Sequence, residues 1–227
     1  MSVDSESWEQ SRNLQKMIRS VDPRQCDRKL RLFAVACCRR VWDLITDPAA
    51  KRLVELTEQF ADGAIDREAL RNVWSGAPDY PRADGAAKQA AAFGCASWEA
   101  AADSYTRAAH DAEAAVAEAI DEPDSPEVGL RKYELRGRER AAQLDLLREV
   151  LRNPFRSVSF SPTWRTETAV LLARQMYESR DFSAMPILAD ALQDAGCDHT
   201  LVLDHCRDPG QIHVRGCWVV DLVLGKS

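Results

Sequence analysis

The sequence predicts an all-α protein, an irregular multi-helix bundle with a long Ala-rich helical hairpin and at most a short strand or two near the C-terminus. Three observations lead there. Apolar residues recur at i, i+3, i+4 and i+7 through most of the 227 residues. Residues 84 to 120 are close to half alanine, the strongest helix former. Alternating polar and apolar residues are confined to a short stretch around Val158 and Phe160.

Taken in order, Trp8, Leu14, Met17 and Ile18 give a short N-terminal helix that Pro23 ends. From Asp27, Leu30, Phe33, Ala34, Cys37, Cys38, Val41, Leu44 and Ile45 mark one broad apolar face, with Arg28, Lys29, Arg31, Arg39 and Arg40 on the rest of the surface. Asp47 and Pro48 cap and start a helix that Gly63 stops. Asp66 caps a shorter one carrying Leu70, Val73 and Trp74, and SGAPDYPRADG is a loop. The alanine-rich helix follows, with Gly94 either a close contact or a break.

The linker DEPDSPEVG leads to a helix with Leu144, Leu147, Val150 and Leu151 inward. Residues 99 to 128 hold nine acidic and one basic side chain, and 131 to 152 hold seven basic and four acidic. An antiparallel hairpin brings these opposite charges together. After an extended connector, NPFRSVSFSPTW, helical spacing returns at Val170 to Tyr177, at Met185 to Leu192 and near Leu201 to Cys206. Residues 217 to 224 fit a helix or a strand. The domain reading is one helical unit over 1–227, open to division into two lobes. Its parts are N-terminal helices over 1–75, the alanine-rich and basic hairpin over 84–152, and C-terminal helices over 153–227.

Charged residues at 29% and hydrophobic ones at 45% are a globular balance. A net charge of -6 repels phosphate backbones and anionic lipid, so nucleic acid is not an expected partner. The start MSVDSESWEQSRN lacks the basic and apolar regions of a signal peptide, and no apolar run reaches the roughly 18 residues of a membrane span. Seven cysteines, an odd number, fit reduced thiols better than disulfides, and the expected location is cytoplasmic.

At DRKLRLFAVACCRR, NPFR, PILADALQDAGC and HVRGCWVVDLVLGK the sequence resembles an uncharacterised family of helical proteins of planctomycete-type bacteria. The resemblance covers both ends of the chain and leaves out the alanine-rich middle. It implies one unit and a bacterial cytoplasmic setting, and it brings no catalytic residue with it.

The densest set of ligand-type residues is in the tail, where Cys197, His199, His205, Cys206, His213 and Cys217 fall within 21 residues. His213 and Cys217 have the x3 spacing of many zinc modules, and Cys197, Cys206, His213 and Cys217 form the candidate zinc set. No C-x2-C knuckle precedes them. On a helix through 199 to 206, His199 and Cys206 share a face and His205 points about 100° away. The simpler reading is that these cysteines are buried, with no cofactor. Cys37 and Cys38, beside Arg39 and Arg40, read as core rather than redox-active thiols. Asp221, inside CWVVDLVLG, requires a partner such as Arg215 or Lys226. His110 reads as a surface residue. The basic run Arg131, Lys132, Arg136, Arg138 and Arg140 reads as a solvated face.

No phosphate-loop, dinucleotide, nucleophile-elbow or H-E-x-x-H motif occurs. The expectation is a non-catalytic module that binds a protein partner, with six tryptophans as potential anchors. The alternative is a zinc or thiol-dependent protein that uses the C-terminal Cys and His residues.

Overall fold

The computed structural model describes residues 4–22, 24–75 and 102–226, apart from the side chains of 73–75 and 102. Among them are eleven α-helices and no strand. We number them α1 (Ser5–Gln10), α2 (Leu14–Arg19), α3 (Asp27–Arg40), α4 (Pro48–Ala61), α5 (Arg67–Ser75), α6 (Ala102–Glu118), α7 (Pro126–Leu151), α8 (Glu167–Ser179), α9 (Met185–Asp194), α10 (Thr200–Arg207) and α11 (Trp218–Leu224). The all-α reading holds. None of these helices is long and apolar enough to cross a membrane. Most of the SGAPDYPRADG loop, Gly94 and the first part of the alanine-rich helix lie outside the described residues.

Local chemistry sets several boundaries. Asp47 accepts the Ala49 amide at 2.8 Å and Pro48 follows at the first helical position. Asp66 accepts the Ala69 amide at 2.8 Å, and Ser125 accepts that of Val128 at 3.2 Å. The N-terminus forms two short helices rather than one. Asn13 caps the second by accepting the Lys16 amide at 2.8 Å. The connector after α7 turns at residues 153–156, runs extended, and then forms a 3-10 turn at Pro162–Trp164. Residues 217 to 224, open between helix and strand from sequence, are helical.

The hairpin of α6 and α7 forms through small residues and opposite charges. Ala108, Ala109, Ala112 and Ala115 are fully buried, so the α7 backbone comes close. Gln143 Nε2 donates to the Ala109 carbonyl at 2.8 Å. Arg140 grips Glu113 at 2.5 Å. His110 is 73% exposed, as read from sequence.

α3 is the central element, packed by α4, α6 and α7. Its arginine face is not a solvated one. Leu32, Val35 and Ala36 are buried as well as the expected face, and Arg31 is 1% exposed. Its charge is met by Asp27 at 2.9 Å, and its guanidinium lies 5.0 Å from the Phe60 ring centroid. Cys37 and Cys38 are fully buried, in accord with a packing role.

The apolar interior falls into two clusters. One is built on α1 to α4, α6 and α7 around Phe33, Leu147 and Val150. The other is built on α8 to α11 around Met176, Leu188 and Val220. Between them lie two groups of buried polar side chains.

Candidate metal centre

The first group gathers around Glu149, in the last turn of α7 and fully buried. A carboxylate placed there without partners costs several kcal/mol, so the surrounding donors decide its state. α10 presents His205, whose Nε2 is 3.2 Å from Glu149 Oε2. The segment between α10 and α11 presents Gln211, donating at 3.1 Å, and His213, whose Nδ1 lies 3.0 Å from Oε1. Cys217, the N-cap residue of α11, brings its Sγ within 3.4 Å of His205 Nε2.

Glu149, His205, His213 and Cys217 thus place one ligand atom each within 4.8 Å of one another. All four are secluded. Glu149 and Cys217 have no exposed surface, and the side chains of His205 and His213 are 11% and 7% exposed.

Gly216 makes this approach possible. Its φ of 92° is one that side chains rarely adopt, and a Cβ there would meet Leu32 Cδ1 at 3.0 Å and Leu32 Cβ at 3.1 Å. The turn therefore presses against α3 and delivers Cys217 inward.

Burial works to raise the Glu149 carboxyl, but the hydrogen bonds from His205 and His213 overcome it and hold its pKa at about 2. The carboxylate is ionised. Burial pushes the Cys217 thiol well up, and the Glu149 charge adds to the effect. Without a cation that thiol stays protonated.

The group is not a Cys–His–Glu catalytic triad, in which the imidazole uses one nitrogen for the nucleophile and the other for the acid. Here His205 Nε2 faces both Cys217 and Glu149. Its Nδ1 accepts from Trp218 Nε1 at 3.2 Å. An indole N–H only donates, so in the neutral ring the proton sits on Nε2, facing Glu149.

Of the four residues read as a zinc set, the structure brings together His213 and Cys217. Cys197 and Cys206 are buried in the α8 to α11 cluster and do not belong to the four. Burial pushes Cys206 up to about 12, with Glu149 contributing. The 100° offset of His205 from Cys206 is what divides them: Cys206 faces the apolar cluster and His205 the polar one. His199 caps α10 with its backbone and makes no side-chain cap bond. Glu149 had no local signal, being one carboxylate among several on a charged helix.

Asp221 does form ion pairs, with different partners from those read. Arg28 meets it at 2.7 Å and Lys29 also contacts it, while Arg215 and Lys226 reach Asp62 at 3.2 and 3.1 Å. In the basic run, Arg131 pairs with Glu122 at 2.8 Å and Lys132 with Asp124 at 3.4 Å. Compared with protein-family models, curated proteins and solved structures, the chain matches none.

Proposed function

We propose that the chain is a helical protein held together by a structural zinc ion, with Glu149, His205, His213 and Cys217 as ligands. The supporting observation is the convergence of four secluded donors of three chemical kinds from α7, α10, the segment that follows α10 and the N-cap of α11. Carboxylate oxygen, imidazole nitrogen and thiolate sulfur are the ligands zinc takes.

The charges agree. Glu149 and a Cys217 thiolate carry two negative charges and neutral imidazoles none, so a dication leaves the interior neutral. A bound cation also reverses the preference of the buried thiol, since a coordinating thiol is deprotonated. Four protein ligands fill a tetrahedral shell and leave no open position for a substrate, which favours a structural over a catalytic role.

Binding has a defined local cost. For His205 Nε2 to ligate, its proton moves to Nδ1, and Trp218 must give up its acceptor. Zinc loading therefore changes the surroundings of Trp218.

The zinc-braced body then serves as a non-catalytic binding module in a reducing compartment such as a bacterial cytoplasm. Leu130 and Tyr133, three apart on α7 and 59% and 75% exposed, offer a protein partner an apolar pair. Elemental analysis of protein purified under reducing conditions should find about one zinc per chain. Cys217→Ser and His213→Ala should lower that content, and Cys206→Ser should not. Cobalt substitution should give a thiolate charge-transfer band that Cys217→Ser removes. Wild-type protein that takes up neither metal at any stoichiometry would overturn the proposal.

A further inference from the structure

The second buried polar group has the opposite imbalance. Six basic side chains, Arg28, Lys29, Arg39, Arg180, Arg215 and Lys226, share the carboxylates of Glu58, Asp62 and Asp221. Glu58, its side chain 4% exposed, takes Arg39 at 3.3 Å, Arg215 at 3.2 Å and Arg180. Asp62 takes Arg28 at 3.2 Å as well as Arg215 and Lys226, and accepts from the Tyr177 hydroxyl at 2.5 Å.

Positive charge of this kind is costly to enclose without anions. Burial lowers the pKa of Lys29 against the opposing pull of Asp221. Arginine cannot lose its proton.

A cleft of about 250 Å³ opens at the Glu58 end of this group. Arg39, Arg180 and Arg215 stand in its wall together with Val35, Phe182 and Ile212. The Arg39 and Arg180 side chains keep 27% and 43% of their surface exposed, so Glu58 does not occupy them fully. The cleft thus joins surplus guanidinium charge to an apolar wall.

We propose that this cleft binds a small organic carboxylate with a short apolar body. The guanidiniums of Arg39, Arg180 and Arg215 take the carboxylate, and Val35, Phe182 and Ile212 cover the body. Inorganic phosphate satisfies the charge but leaves the apolar wall uncovered. The neutral amide of the same acid covers the wall and leaves the charge unmet. His213, one of the proposed zinc ligands, also lines the cleft, so the titration is run on protein with and without zinc.

Calorimetric titration of the purified protein with hexanoate, hexanamide and inorganic phosphate tests this. Hexanoate should bind, with hexanamide and phosphate each weaker by about tenfold or more. Arg180→Gln should weaken hexanoate by a similar factor. Arg207→Gln, on α10 away from the cleft, should leave it unchanged. No heat from hexanoate at millimolar concentration, or hexanamide binding as tightly, would overturn the proposal. So would phosphate binding as tightly. If Arg180→Gln does not fold, the comparison of hexanoate with hexanamide on wild-type protein still decides.

Discussion

The two buried polar groups lie between the same apolar clusters and are built in opposite ways. Around Glu149, a carboxylate is met by two imidazoles and an amide, with a thiol beside them. Around Glu58 and Asp62, carboxylates are met by guanidinium and ammonium groups in excess. The first arrangement is completed by a cation and the second by an anion. Burial of charge is no function in itself, but the sign of the imbalance names the kind of ligand that relieves it.

The largest effect should come from breaking the second group at its centre. Glu58→Ala leaves three guanidiniums around an empty position and should cost about 3 to 5 kcal/mol, measured by urea denaturation. The first group should answer to metal instead. Zinc at about a hundred times its Kd should stabilise the protein by about 2.7 kcal/mol, and Cys217→Ser should abolish that gain in a thermal melt.

Acid acts on both groups in the same direction, since the Glu149 and Asp62 carboxyls are both held low. Burial works to raise the Asp62 carboxyl, but the hydrogen bonds of Tyr177 and Lys226 and the charges of Lys226 and Arg28 hold it below its ordinary 3.8. A group depressed on folding contributes stability above its unfolded pKa and loses it as pH falls through the folded one. Stability should therefore fall as the pH drops below about 4. Asp62→Asn should flatten that decline in melts taken across the range.

The smallest effect should be a gain. Arg152, which ends α7 three residues beyond Glu149, sits at φ 56° and ψ -176°. That region is nearly restricted to glycine and costs other residues about 1 to 3 kcal/mol. The guanidinium recovers a little by lying 5.6 Å from the Trp218 ring centroid. Arg152→Gly should raise stability by about 1 kcal/mol, seen as a higher melting midpoint.

Much of the helical framework was legible because its signals are local. Asp47-Pro48, Asp66 and the alanine run each act within a turn or two of themselves. What failed was naming the partners of individual buried charges. Arg31 reads as a surface residue, and becomes interior only because Phe60 and Asp27 flank it. Asp221 demanded a cation that the sequence rightly implies, but its partners lie about 190 residues away on α3 rather than beside it.

The metal centre was half legible for the same reason. His213 and Cys217 are linked by a short spacing, whereas Glu149 enters from another helix 64 residues earlier. Cys197 and Cys206 resemble ligands by type and are drawn away by an apolar environment.

The short run from Gln211 to Arg215 touches both polar groups. Gln211 and His213 meet Glu149, while Arg215 meets Glu58 and Asp62. Such a seam tolerates a change of side chain at Ile212, which is 41% exposed, far better than a change of length. One extra residue between His213 and Arg215 would put the two ends of the run out of register, so that only one could reach its carboxylate. The spacing of this segment, more than its composition, couples the fate of one buried charge to that of the other.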